Sequence, residues 1–173
     1  MTPRELRKAE RTRLRRNISA HLADFSIQYE ALVFAMEAFG PNFDLRRFKE
    51  AFNSPENKET YRDVQAAERA AGRVQGYVGG LAKDGVRLAE LPRDPEGGPG
   101  FHVRPAFEAL REAGVIDGEL CADLVDAQKG RSTIEHEYIR LPAGKVHETV
   151  ALIHEIAPKF FALYRAWIEP FLD

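Results

Sequence analysis

The chain has 173 residues, 44% of them hydrophobic and 30% charged, with a net charge of −2. That length supports one domain with a real core, and the near-neutral balance excludes polyanion binding driven by bulk charge. Cys121 is the single cysteine, which excludes an intramolecular disulfide, and no apolar run approaches the ~20 residues of a membrane span.

The basic N-terminus has no apolar segment behind it, unlike a signal peptide, so a cytoplasmic protein is expected. Charge is unevenly spread. Residues 1–16 carry Arg4, Arg7, Lys8, Arg11, Arg13, Arg15 and Arg16 against Glu5 and Glu10. This segment either steers an acidic partner or a nucleic acid, or is a solvated helix start.

Thr2 and Pro3 fit the N-cap and N1 positions of a first helix, with Glu5 completing a capping box. Its apolar stripe runs Ile18, Leu22, Phe25, Tyr29, Leu32, Met36, Phe39 in alternating steps of four and three, a bundle seam. Gly40-Pro41 ends it. The charged turn before Ile18 is expected to project beyond the core.

A short helix is expected over 44–52. Ser54 then caps a third helix with Pro55 at N1, and the stripe Tyr61, Val64, Ala67, Ala71, Val74, Val78, Leu81, Leu88 follows. That helix is rich in small residues, among them Gly72, Gly76, Gly79 and Gly80. Glycine inside a helix costs about 1 kcal/mol relative to alanine. Either a second helix packs closely there, within the chain or across a dimer, or Gly79-Gly80 or Gly85 breaks the helix.

Residues 91–100 hold three prolines and three glycines and read as an exposed connector, not a phosphate loop. A short helix over 103–113 is closed by Gly114, and Asp117 caps the next, with Leu120, Leu124 and Ala127 on one face. Cys121 on that stripe reads as a small buried hydrophobe. Lys129-Gly130 weakens helix continuity and Leu141-Pro142 marks a break. The last stripe is Val146, Val150, Ile153, Ala157, Phe160, Tyr164, Trp167, Phe171, with Pro158 expected to kink it. The reading is one domain, an all-α up-and-down bundle of four to five main helices.

No metal or cofactor site emerges. His147 and His154 share a helix face, but neither HExxH nor paired Glu-x-x-His is present. The stretch 130–138 (GRSTIEHEY) stands apart because it gathers Arg131, His136 and Tyr138. A histidine can move the proton of a ribose 2′-hydroxyl, and an arginine can neutralise charge building on phosphorane oxygens, with no metal required. On a straight helix Arg131 and His136 are about 140° apart. To share a ligand they need a helix start or bend near Gly130, or two chains. Equally, these residues suit a solvated turn paired with Glu135 and Glu137.

Arg131-x4-His136-Glu137-Tyr138 resembles the R-x4-H-x-Y motif of the HepT-like branch of HEPN-domain proteins. Ala113-Gly114-Val115-Ile116-Asp117 with Glu119-Leu120 resembles the helix start preceding that motif, and Ile156-Ala157-Pro158 the branch's last helix. Ser132 stands where the branch usually has Asn, Asp or His, and Glu135 where it has an aliphatic residue. The resemblance implies a HEPN-like homodimer whose paired motifs form a metal-independent endoribonuclease, leaving a 2′,3′-cyclic phosphate and a 5′-hydroxyl. It implies catalytic roles for His136 and Arg131 with Ser132 assisting. It further implies a toxin paired with a nucleotidyltransferase antitoxin that can transfer AMP to Tyr138. A non-catalytic HEPN scaffold that binds such a partner or a nucleic acid is the alternative.

Overall fold

The computed structural model describes residues 3–92, 102–137 and 141–173. Thr2, residues 93–100 of the connector, and Tyr138 lie outside the described residues. Those described form an all-α up-and-down bundle of six helices: α1 (Pro3–Glu37), α2 (Leu45–Phe52), α3 (Lys58–Leu88), α4 (Val103–Glu112), α5 (Gly118–Glu137) and α6 (Ala143–Leu172). Four are long and two short. Helix α3 is central and touches all five others.

The expected stripes are the ones that bury. On α1, Ile18, Phe25, Leu32 and Met36 are buried, with Phe39 in the turn that follows, on α3 Val64 through Leu88, and on α6 Val146 through Tyr164. Each large aliphatic or aromatic side chain so buried stabilises the bundle by roughly 1.5–3 kcal/mol before entropy. Cys121 is buried too, and burial pushes its thiol above the ordinary range.

Capping sets several boundaries. The Asp44 side chain accepts from the Arg47 amide at 2.9 Å, and Asp117 from the Leu120 amide at 2.8 Å. Gly114, at φ 75°, closes α4 while the Val115 amide reaches back to the Leu110 carbonyl. Helix α3 begins later than the sequence suggests. Asn57, not Ser54, is its cap, because the Asn57 side chain accepts from Thr60 while Ser54 and Pro55 remain in the preceding turn.

The glycines of α3 do not break it. Gly79 faces Val103 of α4, where a methyl group would lie 3.2 Å from the valine, and Gly85 faces the Tyr164 ring of α6. Close helix approach is what their lost propensity permits. Gly130 in α5 likewise sits against Thr149 of α6, and α5 runs through it unbroken.

The charged start of α1 does not project freely. Leu14 is buried, and Arg15 Nε donates to the Phe171 carbonyl in the last turn of α6 at 3.0 Å. Arg11 pairs with Glu90 at 3.4 Å, and Glu10 with Arg87. Basic side chains on this face of α1 therefore meet the C-terminal ends of α3 and α6, where unpaired carbonyls and the helix dipoles favour cations.

At the opposite end of α1 the chain turns through Gly40, Asn42 and Phe43, all at positive φ. Phe43 tolerates that conformation because its ring is held against Phe39, Phe48 and the His147 imidazole, and its carbonyl accepts from His147 Nε2 at 2.6 Å. His147 is thus built into the packing.

Pro158 lies inside α6, which continues through it. Proline has no N–H, so the His154 carbonyl four residues earlier loses its helical donor. The Tyr29 hydroxyl of α1 donates to that carbonyl at 3.0 Å, and the Tyr29 ring stacks on the His154 ring at 5.5 Å. A helix fault is mended by a side chain from a neighbour.

Candidate functional site

Arg131 sits two-thirds of the way along α5, on the side facing α3. Its guanidinium lies over Gly76, where a methyl group would come within 3.4 Å of Nη1. One helical turn earlier, Gly72 has nothing within 4 Å of the same position. The missing side chains leave room in a cleft of about 570 Å³ lined by residues of α1, α3, α5 and α6. That volume is in the range of small-ligand sites.

Apolar walls come from Ala71, Ile134 and Ile153, and arginines outnumber carboxylates among the charged groups. Arg69 and Arg73 of α3 join Arg131, against Glu68 and Glu135. Arg131 Nε donates to Glu135 Oε1 at 2.9 Å, an i,i+4 pair that is half-exposed at the glutamate. This pair holds the guanidinium at the cleft wall and offsets part of its charge. His21 of α1 and Tyr77 of α3 form a tilted ring pair at the cleft, centroids 4.9 Å apart. The His21 Nδ1 atom is buried and has no hydrogen-bond partner.

Of the candidate catalytic residues read from the sequence, Arg131 is the one among the described residues that lines this cleft. Ser132 and His136 are exposed and lie outside its lining. Because α5 neither starts nor breaks at Gly130, its regular geometry carries His136 about 140° around from Arg131. The structure removes the route to a shared ligand that a helix start at Gly130 offered. Tyr138 lies outside the described residues.

Sequence reasoning missed Arg69, Arg73, His21 and Tyr77. Arg69 and Arg73 flank Gly72 at helical spacing, so the α3 pattern held a signal. His21 is invisible without knowing how α1 packs. A second polar contact lies nearby: Gln75 is fully buried, and its amide donates to Gln128 Oε1 at 3.3 Å, tying α3 to α5.

Among the described residues no group of three or more His, Cys, Asp or Glu is placed to hold a metal ion. No helix among them is long and apolar enough to cross a membrane. No family model, curated protein or solved structure matches the chain.

Proposed function

We propose that the chain is a HEPN-type, metal-independent endoribonuclease, the toxin of a toxin–antitoxin pair with a nucleotidyltransferase partner, and that its site is completed by a second copy. The observation carrying this reading is that the motif arginine, Arg131, opens onto a cleft holding two more arginines. Guanidinium groups converging on an open cleft suit a phosphodiester, whose negative charge grows on the phosphorane oxygens. The 2′-oxygen forms the new P–O bond, the 2′-hydroxyl proton passes to His136, and the P–O5′ bond breaks as the leaving 5′-oxygen takes a proton from the resulting imidazolium or from water. The products are a 2′,3′-cyclic phosphate and a 5′-hydroxyl. Since His136 faces away from its own Arg131, the histidine acting at one cleft belongs to the other copy.

RNA incubated with the purified chain in EDTA tests this. Cleavage is expected, with loss in Arg131→Ala and in His136→Ala. Mixing equal amounts of the two inactive variants is expected to restore about a quarter of the wild-type rate, since half of the dimers are mixed and each of these holds one intact site of two. Undiminished cleavage by His136→Ala refutes the chemistry.

The Arg131–Glu135 pair, together with the exposure of Ser132 and His136, favours a second reading. An arginine already matched by a carboxylate suits binding more than catalysis, so the chain would act as a HEPN scaffold for the nucleotidyltransferase or a nucleic acid. Its signature is binding of RNA or partner without cleavage.

A further inference from the structure

Helix α1 carries two apolar stripes, and only one is used within the chain. Ile27, Ala31 and Phe34 recur in steps of four and three on the face opposite the buried seam, with Ala38 just past the helix end continuing the spacing. Phe34 is 77% exposed and Ile27 62%, the two most exposed large hydrophobic side chains among the described residues. Beside Phe34 a groove of about 650 Å³ runs between α1 and α3, walled by Ala31, Ala35, Ala38, Ala66 and Ala70. A protruding ring and an alanine-walled recess thus occupy the same face.

The charges on this groove are sorted along its length. The helices run antiparallel: Glu10 pairs with Arg87, and His21 packs on Tyr77. Glu37 and Asp63 therefore share one end of the groove, while Arg69 and Arg73 lie toward the other. Asp63 and Arg73 are about 15 Å apart along α3.

We infer that this α1–α3 face is the seat of a second copy of the chain, related by a two-fold axis. An isologous interface requires a patch that is complementary to itself. A two-fold rotation that turns the groove end for end sets Glu37 and Asp63 of one copy against Arg69 and Arg73 of the other. It also sets each Phe34 at the alanine recess of its mate. Small side chains allow the close helix approach that a ring inserted between them needs. One face carries the knob and the recess and both charge ends, which is the self-complementarity an isologous contact needs. Arg69 and Arg73 also line the Arg131 cleft, so a second copy seated here abuts that cleft. In such a dimer Arg69 and Arg73 are shared between the mate's carboxylates and the cleft, with Arg131 left as the cleft's own cation, and the interface rests on the ribonuclease reading only for its role in cleavage.

Sedimentation equilibrium of the full chain tests it. A dimer is expected at about 100 µM, weakened at least about tenfold by Phe34→Glu with unchanged helical circular dichroism. Asp63→Arg and Arg73→Glu are each expected to weaken the dimer, and the double variant to recover it. A monomeric wild type at that concentration overturns the interface, and so does a dimer indifferent to Phe34→Glu. RNA cleavage is scored on the same samples. A Phe34-dependent dimer inert toward RNA sinks the ribonuclease reading alone, a cleaving dimer indifferent to Phe34→Glu sinks the interface alone, and a cleaving monomer sinks both the interface and the two-copy site.

Discussion

Replacing Tyr29 by phenylalanine tests the repair of the α6 fault at Pro158. The substitution keeps the ring, and with it the stacking on Phe25 and His154, whose centroids lie 6.1 Å and 5.5 Å away. It removes only the hydroxyl that donates to the His154 carbonyl at 3.0 Å. That carbonyl has no helical donor, so the loss leaves a partly buried acceptor unpaired, at a cost of about 1 kcal/mol. For a domain of this size that lowers Tm by about 2–4 °C. The diagnostic comparison is the same substitution in a Pro158→Ala background. There the restored N–H bonds His154 within the helix, so Tyr29→Phe is expected to cost little, giving a coupling of about 1 kcal/mol between the two sites. Urea denaturation followed at 222 nm measures all four variants.

The pH dependence has a definite sign. Burial raises the Tyr29 phenol above its ordinary value. The unfolded chain then sheds this proton near pH ~10 while the fold retains it. Stability from this group is complete below pH ~10 and is lost as pH climbs through the folded value. The Phe variant is expected to lack that share of the alkaline decline. Equal costs of Tyr29→Phe in both backgrounds would refute the repair.

Three further outcomes follow from the same contacts. Tyr164→Phe is expected to raise stability by about 1 kcal/mol in urea denaturation, because its hydroxyl is buried against Gly85 without a hydrogen-bond partner. Gly130→Ala is expected to lower stability by about 1 kcal/mol despite alanine's better helix propensity. The new methyl would meet Thr149 Cγ2 at 2.7 Å, and Thr149→Ala in the same chain is expected to recover the loss. Glu135→Gln, which releases Arg131, is expected to tighten RNA binding about two- to fivefold in a fluorescence titration, the scale of a half-exposed ion pair.

What could be read from the sequence was local. Stripes at three- and four-residue spacing located the long helices, since each needs only its own core-facing side. Gly114 and Asp117 marked boundaries because capping is a contact between near neighbours. Ser54 misled because Ser-Pro is a good helix start in isolation, while Asn57 holds the amide that decides the matter. Gly85 and Gly130 looked like weak points in single helices. Their reason lies in Tyr164 and Thr149, each on another helix. The cleft was illegible for the same cause. Its arginines come from α3 and α5 and its histidine from α1, so no window along the chain contains it. The 130–138 stretch contributed Arg131 to it, and the regular helix through Gly130 carried Ser132 and His136 elsewhere.

The two ends of α1 are fastened by different forces. At its start, Glu10, Arg11 and Arg15 hold the last turns of α3 and α6 through ion pairs and a charged hydrogen bond. Past its other end, Phe39, Phe43 and Phe48 close around one another and His147. Added sodium chloride screens the first fastening far more than the second, while cooling weakens the second more than the first. The bundle thus has a solvent-dependent polarity. Ionic strength sets how tightly its N-terminal end is clasped, independently of the end where α1 hands the chain on to α2.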